Sequence, residues 1–215
     1  PRAAVALVLP VAELDSLVDA GWTGAIFIVD DNFIGNRKQA HNLLTELVDW
    51  RARRGPGITF TTEASLNVVD YLELLDLMAK AGFRKLFIGI ETPVQESLVE
   101  CAKTQNTQRD LVAAVRAVQN RGIEVLGGFI VGFDSDGPKV FAQQKKVIQQ
   151  SGIVTAMVGL LTALPGTRLW QRLQAEGRIL RECTGNNLDG VLNFVPRLDR
   201  DTLVQGYRSL IKHLY

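Results

Sequence analysis

Gly82-Phe83-Arg84-Lys85-Leu86-Phe87-Ile88-Gly89-Ile90-Glu91 is the stretch whose reading decides the fold class. A glycine suited to ending a helix leads into a run, 85–90, whose apolar residues stand at consecutive positions, and a carboxylate follows at once. Apolar residues that do not alternate are expected of a parallel strand covered on both faces. Parallel neighbours need a crossover between them, and the segments flanking this run have the length and 3.6-residue period of helices. The same grammar recurs in both directions along the chain. It predicts strands at 25–29, 58–62, 85–90, 125–131 and 154–161. It places helix faces at Leu43, Leu44, Leu47 and Val48, then at Leu72, Leu75, Leu77 and Met78, then at Leu111, Ala114, Val115 and Val118. Gly21, Gly55, Gly82, Gly122 and Gly152 each stand where a helix should end. Ser65 and Asn67, and later Asp134, Ser135 and Asp136, are candidate caps. Five such βα units suit a barrel or an open parallel sheet equally well by spacing. After Thr167 the pattern changes to a charged helix at 168–176, a Gly/Asn-rich break at 184–190 and a last helix at 202–214.

With 215 residues, 47% hydrophobic and 22% charged, the chain suits one large domain or two small ones and can bury a sizeable core. The formal charge is +1 and no basic run is present, so nucleic acid is not the expected partner. Two cysteines, Cys101 and Cys183, support neither a disulfide framework nor a zinc pattern, which points to a reducing compartment and hence the cytoplasm. The longest apolar run, 3–12, is about half of a bilayer span and is interrupted by Pro10, so no membrane span is expected. It reads as the buried start of a helix. A chain beginning at Pro1 and not at Met is expected to be an interior piece of a longer protein.

Parallel βα architectures collect their chemistry at the C-terminal strand ends. Three successive predicted strands finish in a carboxylate, at Asp30 or Asp31, at Glu63 and at Glu91. Acidic groups directly after apolar strands are partly desolvated and are expected to pair with a donor or cation. Such a rim suits a divalent metal, an ammonium group or ribose hydroxyls, and composition does not choose among them. The run Gly127-Gly128-Phe129-Ile130-Val131-Gly132 has three glycines within a strand, which allows either a flat ring lying on the backbone or simple close packing. It is not a dinucleotide fingerprint, because those glycines must open a helix. His41 and His213 sit at polar positions, neither cysteine has a basic neighbour in sequence, and no GxSxG elbow is present. No residue is singled out as catalytic.

The ordered motifs Val29-Asp30-Asp31-Asn32-Phe33, Thr62-Glu63-Ala64-Ser65, Ile88-Gly89-Ile90-Glu91-Thr92, Gly128-Phe129-Ile130-Val131-Gly132-Phe133 and Leu164-Pro165-Gly166-Thr167 resemble those of the radical S-adenosylmethionine (SAM) superfamily. Within it, 156–169, Asn193-Phe194-Val195-Pro196-Arg197 and Gly206-Tyr207-Arg208 resemble the subgroup that carries an N-terminal cobalamin-binding domain, hopanoid C-2 methylase among its members. The resemblance runs from about Leu14 to Tyr215. It implies an α/β fold, a partial (βα) TIM-type barrel holding five of six parallel βα units, with the family's first strand and its CxxxCxxC cluster loop upstream of Pro1. The barrel would occupy 1–180, and 181–215 would begin a C-terminal helical extension.

By the same resemblance, Asp30, Asp31 and Asn32 meet the SAM amino group, Glu63 and Glu91 face the ligand with Glu91 at the ribose, Gly128 and Gly132 pack on adenine, and Leu161 and Thr162 meet the adenine edge. The implied cofactors are SAM, a [4Fe-4S] cluster and cobalamin; ligands for the last two are not in this chain. The implied activity is that of a cobalamin-dependent methyltransferase working through a 5′-deoxyadenosyl radical, inactive as this piece alone. It would draw on an external electron donor and a small-molecule substrate. Phe33, Phe133 and Leu164 at the rim hint that this substrate is hydrophobic or lipid-like. Two other readings stand beside it. One is a metal-dependent barrel lyase or isomerase ligating magnesium through Asp30, Glu63 and Glu91, which would require eight strands. The other is a non-catalytic interaction scaffold.

Overall fold

The computed structural model describes residues 11–183 and 191–215, so the apolar run before Val11 and the break at 184–190 lie outside the described residues. Five parallel strands form one sheet in the order β1-β2-β3-β4-β5. They are β1 (Ala25–Ile28), β2 (Thr59–Glu63), β3 (Phe83–Glu91), β4 (Glu124–Val131) and β5 (Thr155–Leu160). Each predicted strand is present to within two residues at either end. A strictly sequential order has no reversal point, which is the succession of a (βα) barrel and not of a doubly wound sheet. That settles the choice that spacing left open.

The chain divides into two compact units, Pro1–Gly89 with Ala113–Leu126, and Ile90–Val112 with Gly127–Tyr215. The first holds α1 (Val11–Asp19), β1, α2 (Arg37–Arg54), β2, a 3-10 turn (Leu66–Asp70), α3 (Leu72–Ala81) and most of β3. Its core is aromatic. Phe60 of β2 stands between Trp50 of α2, with ring centroids 6.1 Å apart, and Phe83 of β3 at 5.4 Å, and Phe33 meets Phe83 edge-on at 5.3 Å. Leu43, Leu44 and Leu47 bury the predicted face of α2 beside them. On α3 the buried face is Leu74, Leu75, Met78 and Ala81, while Leu72, expected to be inside, is exposed at the first residue of the helix. Nor do Ser65 and Asn67, expected as caps, cap α3. Ser65 precedes the 3-10 turn without a side-chain bond, and α3 begins only after Tyr71.

Burial along β2 and β3 alternates, although their sequences do not. Phe60 and Thr62 are buried, whereas Thr59, Thr61 and Glu63 on the other face are partly exposed. The expectation of strands covered on both faces is therefore corrected: one face is packed and the other is half-open. β1 pairs in register with β2 from Ala25 opposite Thr59 to Ile28 opposite Thr62. Between β2 and β3 the register shifts after Phe60, so that Phe60 faces Phe83 and Thr61 faces Lys85, the signature of a bulge at Arg84.

All five glycines predicted to end helices have positive φ. At Gly82 (φ +101) a second constraint applies, because an added Cβ would collide with the Arg51 guanidinium. That guanidinium crosses beneath the turn to donate to the main-chain oxygens of Ile58 and Pro56.

The second unit holds the end of β3, α4 (Gln95–Glu100), the start of α5 (Leu111–Gln119), most of β4, α6 (Val140–Ser151), β5, α7 (Arg168–Ala175) and α8 (Arg200–Leu214). Val131, Val140, Leu192 and Leu203 form one apolar cluster, and Ala163, Leu173 and Phe194 another. Asp134, Ser135 and Asp136 do not cap α6, which begins after Lys139 without a side-chain cap. Asp136 is buried and ties the turn after β4 instead, accepting from the amides of Gly132 (2.8 Å) and Phe133 (3.1 Å) and from the Ser97 hydroxyl (2.7 Å). Burial pushes its carboxyl up, against the opposing pull of those three donors.

Candidate functional site

In the first unit the predicted site residues are Asp30, Asp31 and Asn32, on the loop after β1, and Glu63, the last residue of β2. Asp30 Oδ1 accepts from the Asn32 amide (2.8 Å), closing a side-chain turn directly after β1. Asn32 Oδ1 in turn accepts from the Ser65 amide (3.0 Å), and the Phe33 amide donates to the Glu63 main-chain oxygen (2.9 Å). The loop after β1 is thus sewn to the end of β2, which fixes where Asp30, Asp31 and Glu63 begin. Their carboxylates have no ion pair among the described residues. The expected pairing is not made here, because Asp31 is exposed and Asp30 and Glu63 only partly buried, so water reaches all three.

Glu91, in the second unit, behaves differently. It has φ +69, in the left-handed region that a residue with a Cβ rarely enters. Its side chain is 14% exposed, and Oε1 lies 2.9 Å from Lys103 Nζ. Thr92, wholly buried, follows and accepts from the Val94 amide through Oγ1. Sequence reading anticipated a partner for Glu91 but not which one, since Lys103 follows a separate helix, α4.

The glycine strand resolves residue by residue. A Cβ on Gly127 would stand 2.8 Å from the Phe129 ring and 3.0 Å from Ile153, so close packing accounts for that glycine. Gly132 has φ +107, and its Cβ direction is faced by Leu203 (3.3 Å) and Leu161 (3.6 Å). Gly128 is buried in β4. Leu161 donates its amide to the Val131 main-chain oxygen (2.8 Å), and Thr162 Oγ1 turns back to the Leu160 oxygen (3.3 Å). Of the rim residues expected to greet an apolar substrate, Phe33 and Phe133 are buried in packing and only Leu164 is open, so that hint is withdrawn for the two aromatics.

One acidic centre was missed by sequence reading. Asp134, its side chain 7% exposed, is gripped by Arg178 and Arg172, with Arg197 at 3.7 Å. Glu100 braces the same centre through Arg172 (3.0 Å) and the amides of Asp134 and Ser135. Burial alone would raise the Asp134 carboxyl; the hydrogen bonds and charge of the two arginines outweigh it and hold it at about 2. No local signal marks these arginines, which lie 38 and 44 residues away in sequence.

Each unit also contains a cavity among its described residues. In the first unit a cleft of about 520 Å³ is walled by Arg37, Lys38, His41, Tyr71 and Glu73, with the Arg37 guanidinium 4.7 Å over the Tyr71 ring. In the second a smaller one of about 260 Å³ is lined by Cys101, Phe133, Leu161, Arg168 and Arg172. Burial pushes the Cys101 thiol up, away from the reactive thiolate. Among the described residues no three His, Cys, Asp or Glu side chains are grouped to hold a metal ion, and no helix is long and apolar enough to cross a membrane. The magnesium-ligating reading of the strand-end carboxylates therefore finds no centre here.

Comparison with known proteins adds the lineage. An uncharacterized methyltransferase of Synechocystis sp. is 39% identical over 94% of this chain and 38% of its own length. Hopanoid C-2 methylase of Rhodopseudomonas palustris is 38% identical over 95% of this chain and 38% of its own length. The chain thus spans well under half of these relatives. The radical SAM methyltransferase TsrM of Kitasatospora setae, whose structure contains cobalamin and a [4Fe-4S] cluster, superposes with a TM-score of 0.69 at 23% identity, over 86% of this chain and 37% of that one, which speaks to fold alone. Residues 167–215 match a domain of unknown function, DUF4070. With five sequential parallel strands, carboxylates closing three of them, and residues 6–140 matched by the family model, the chain belongs to the radical SAM superfamily.

Proposed function

We propose that this chain is the SAM-holding part of a cobalamin-dependent radical SAM methyltransferase, acting in the cytoplasm on a hydrophobic small molecule and supplied with electrons by an external donor. The observation that carries SAM binding is the set of strand-end carboxylates, Asp30, Asp31 and Glu63, without a cationic partner among the described residues. Methyl transfer, and an apolar acceptor, rest on the relatives named as methylases. The barrel part would run through 1–180, with 181–215 opening a helical extension.

These residues suit SAM chemically. Carboxylates accept hydrogen bonds from an ammonium and from ribose hydroxyls, and charge-assisted bonds of this kind are the strong ones. Asp30 and Asp31, with Asn32, take the methionine amino group. Glu63 and Glu91 take hydroxyls, Gly128 and Gly132 give adenine a flat backbone, and Leu161 and Thr162 offer main-chain groups to its edge. The chain does not suit a [4Fe-4S] cluster, since Cys101 and Cys183 cannot provide three closely spaced thiolates. When bound, SAM supplies the methyl group and the radical chemistry; these side chains bind and orient it.

The test is calorimetric titration of the full-length, cluster-reconstituted enzyme with SAM. Glu91→Ala and Asp30→Asn with Asp31→Asn should each weaken SAM binding by about tenfold, the worth of a charge-assisted hydrogen bond, with iron content unchanged. Wild-type SAM affinity in these variants, together with a lost magnesium requirement for activity, would replace this reading with the metal-dependent lyase.

A further inference from the structure

The left-handed bend at Glu91 is held by buried side-chain amides from distant parts of the second unit. Gln144, on α6 and fully buried, donates through Nε2 to the main-chain oxygen of Ile130 (2.6 Å) and to that of Glu91 (3.4 Å), 53 residues away. Asn106, also fully buried, donates through Nδ2 to the main-chain oxygen of Ile90 (3.3 Å). The Thr92 amide closes the bend locally onto the Ile90 oxygen (3.0 Å), and the two consecutive carbonyls of Ile90 and Glu91 each take a distant side-chain amide as well. Buried carbonyls at a bend need donors from outside the regular ladder, and a strained φ persists only where its surroundings over-determine it.

Gln144 carries a cost for this. Its Oε1 is buried with no hydrogen-bond partner among the described residues. A residue chosen only to fill α6 against its neighbours would be Leu or Met, which bury no unsatisfied oxygen. The donor end is what the position requires.

We propose that Gln144, assisted by Asn106, is a positioning residue that fixes the Glu91 bend and so aims the Glu91 carboxylate at bound SAM. The inference rests on the reading that Glu91 contacts SAM.

In the full-length, cluster-reconstituted enzyme, Gln144→Met keeps side-chain length and removes the donor. Its Kd for SAM, measured by calorimetry, should rise about 5- to 10-fold, the worth of a hydrogen bond or slightly more, with iron and sulfide content unchanged. Gln144→Glu provides the second measurement on one folded sample. A glutamic acid offers one O–H, and only while protonated, where the amide offers two N–H donors. The ratio of its SAM Kd to that of the wild type at the same pH should therefore be smaller than the Gln144→Met ratio at pH 6 and rise by pH 8; the ratio cancels titration of the SAM amino group, which both proteins share. A purely structural role would lower Tm in both variants without giving SAM affinity this pH dependence. Wild-type affinity in Gln144→Met, or a Gln144→Glu to wild-type Kd ratio that does not change with pH, would overturn the clamp if Glu91→Ala still weakens binding. Wild-type affinity in Glu91→Ala would instead remove the reading on which the clamp rests, and the clamp with it.

Discussion

Lys103 Nζ stands 2.9 Å from Glu91 Oε1, an ion pair whose acidic member is held at φ +69. Local backbone strain and a partly buried charge are concentrated in one residue. Glu91→Ala loses the pair and keeps the strain, whereas Glu91→Gly loses both. Since a left-handed conformation costs a residue with a Cβ about 1–2 kcal/mol, and glycine returns part of that through the unfolded chain, Glu91→Gly should be the more stable of the two by roughly 1 kcal/mol. Urea unfolding of both variants checks it; equal midpoints would mean the bend relaxes when the carboxylate is gone.

Lys103→Met leaves the Glu91 carboxylate, 14% exposed, without its cation. Between the small worth of surface pairs and the large cost of breaking buried ones, a destabilisation of about 1–2 kcal/mol is expected. Lys103→Arg should restore most of it.

Asp134 links stability to pH. Its folded carboxyl titrates at about 2, below the ordinary 3.8, so the unfolded chain binds the proton more readily. The group therefore stabilises the fold fully above about pH 4, and that contribution, about 2 kcal/mol from the gap between the two values, is lost as pH falls toward 2. Asp134→Asn should flatten this part of the acid-unfolding curve. At neutral pH it should also destabilise by about 3 kcal/mol or more, because Arg172 and Arg178 lose their shared partner.

Gly82 and Gly122 separate strain from collision. Both have positive φ, but an added Cβ meets nothing within 4 Å at Gly122 and meets the Arg51 guanidinium at Gly82. Gly122→Ala should cost about 1 kcal/mol, and Gly82→Ala about 1 kcal/mol more as Arg51 is pushed off the Ile58 and Pro56 oxygens. In an Arg51→Ala background the two glycine substitutions should cost the same.

Among the described residues β1 stands at the edge of the sheet, with Phe27 in it 49% and Val29 just after it 84% exposed. An uncovered strand with apolar side chains templates pairing with another chain. The 215-residue chain by itself should self-associate, and Phe27→Lys with Val29→Lys should shift it toward monomer in light scattering. A wild-type monomer at high concentration would contradict this.

The sequence by itself determined the five strands, the helices between them, the glycines that stop those helices and the carboxylates that close the strands. Each of these is written in a short window: hydrophobic period, tolerance of positive φ, and the residue next after an apolar run. Where the local window misled, a neighbour in space had intervened. Phe33 reads as a rim residue until Phe83 covers it, and Ser65 reads as a cap until the 3-10 turn takes its place. Only the tertiary structure decided that Lys103 answers Glu91, that Arg172 and Arg178 answer Asp134, and that Gln144 and Asn106 hold the Glu91 bend. Most of these partners lie 16 to 53 residues apart in sequence and meet through packing, so nothing in local periodicity marks them. The strand order was likewise a tertiary matter, because a βα unit has the same pattern whichever neighbour its strand finally pairs with.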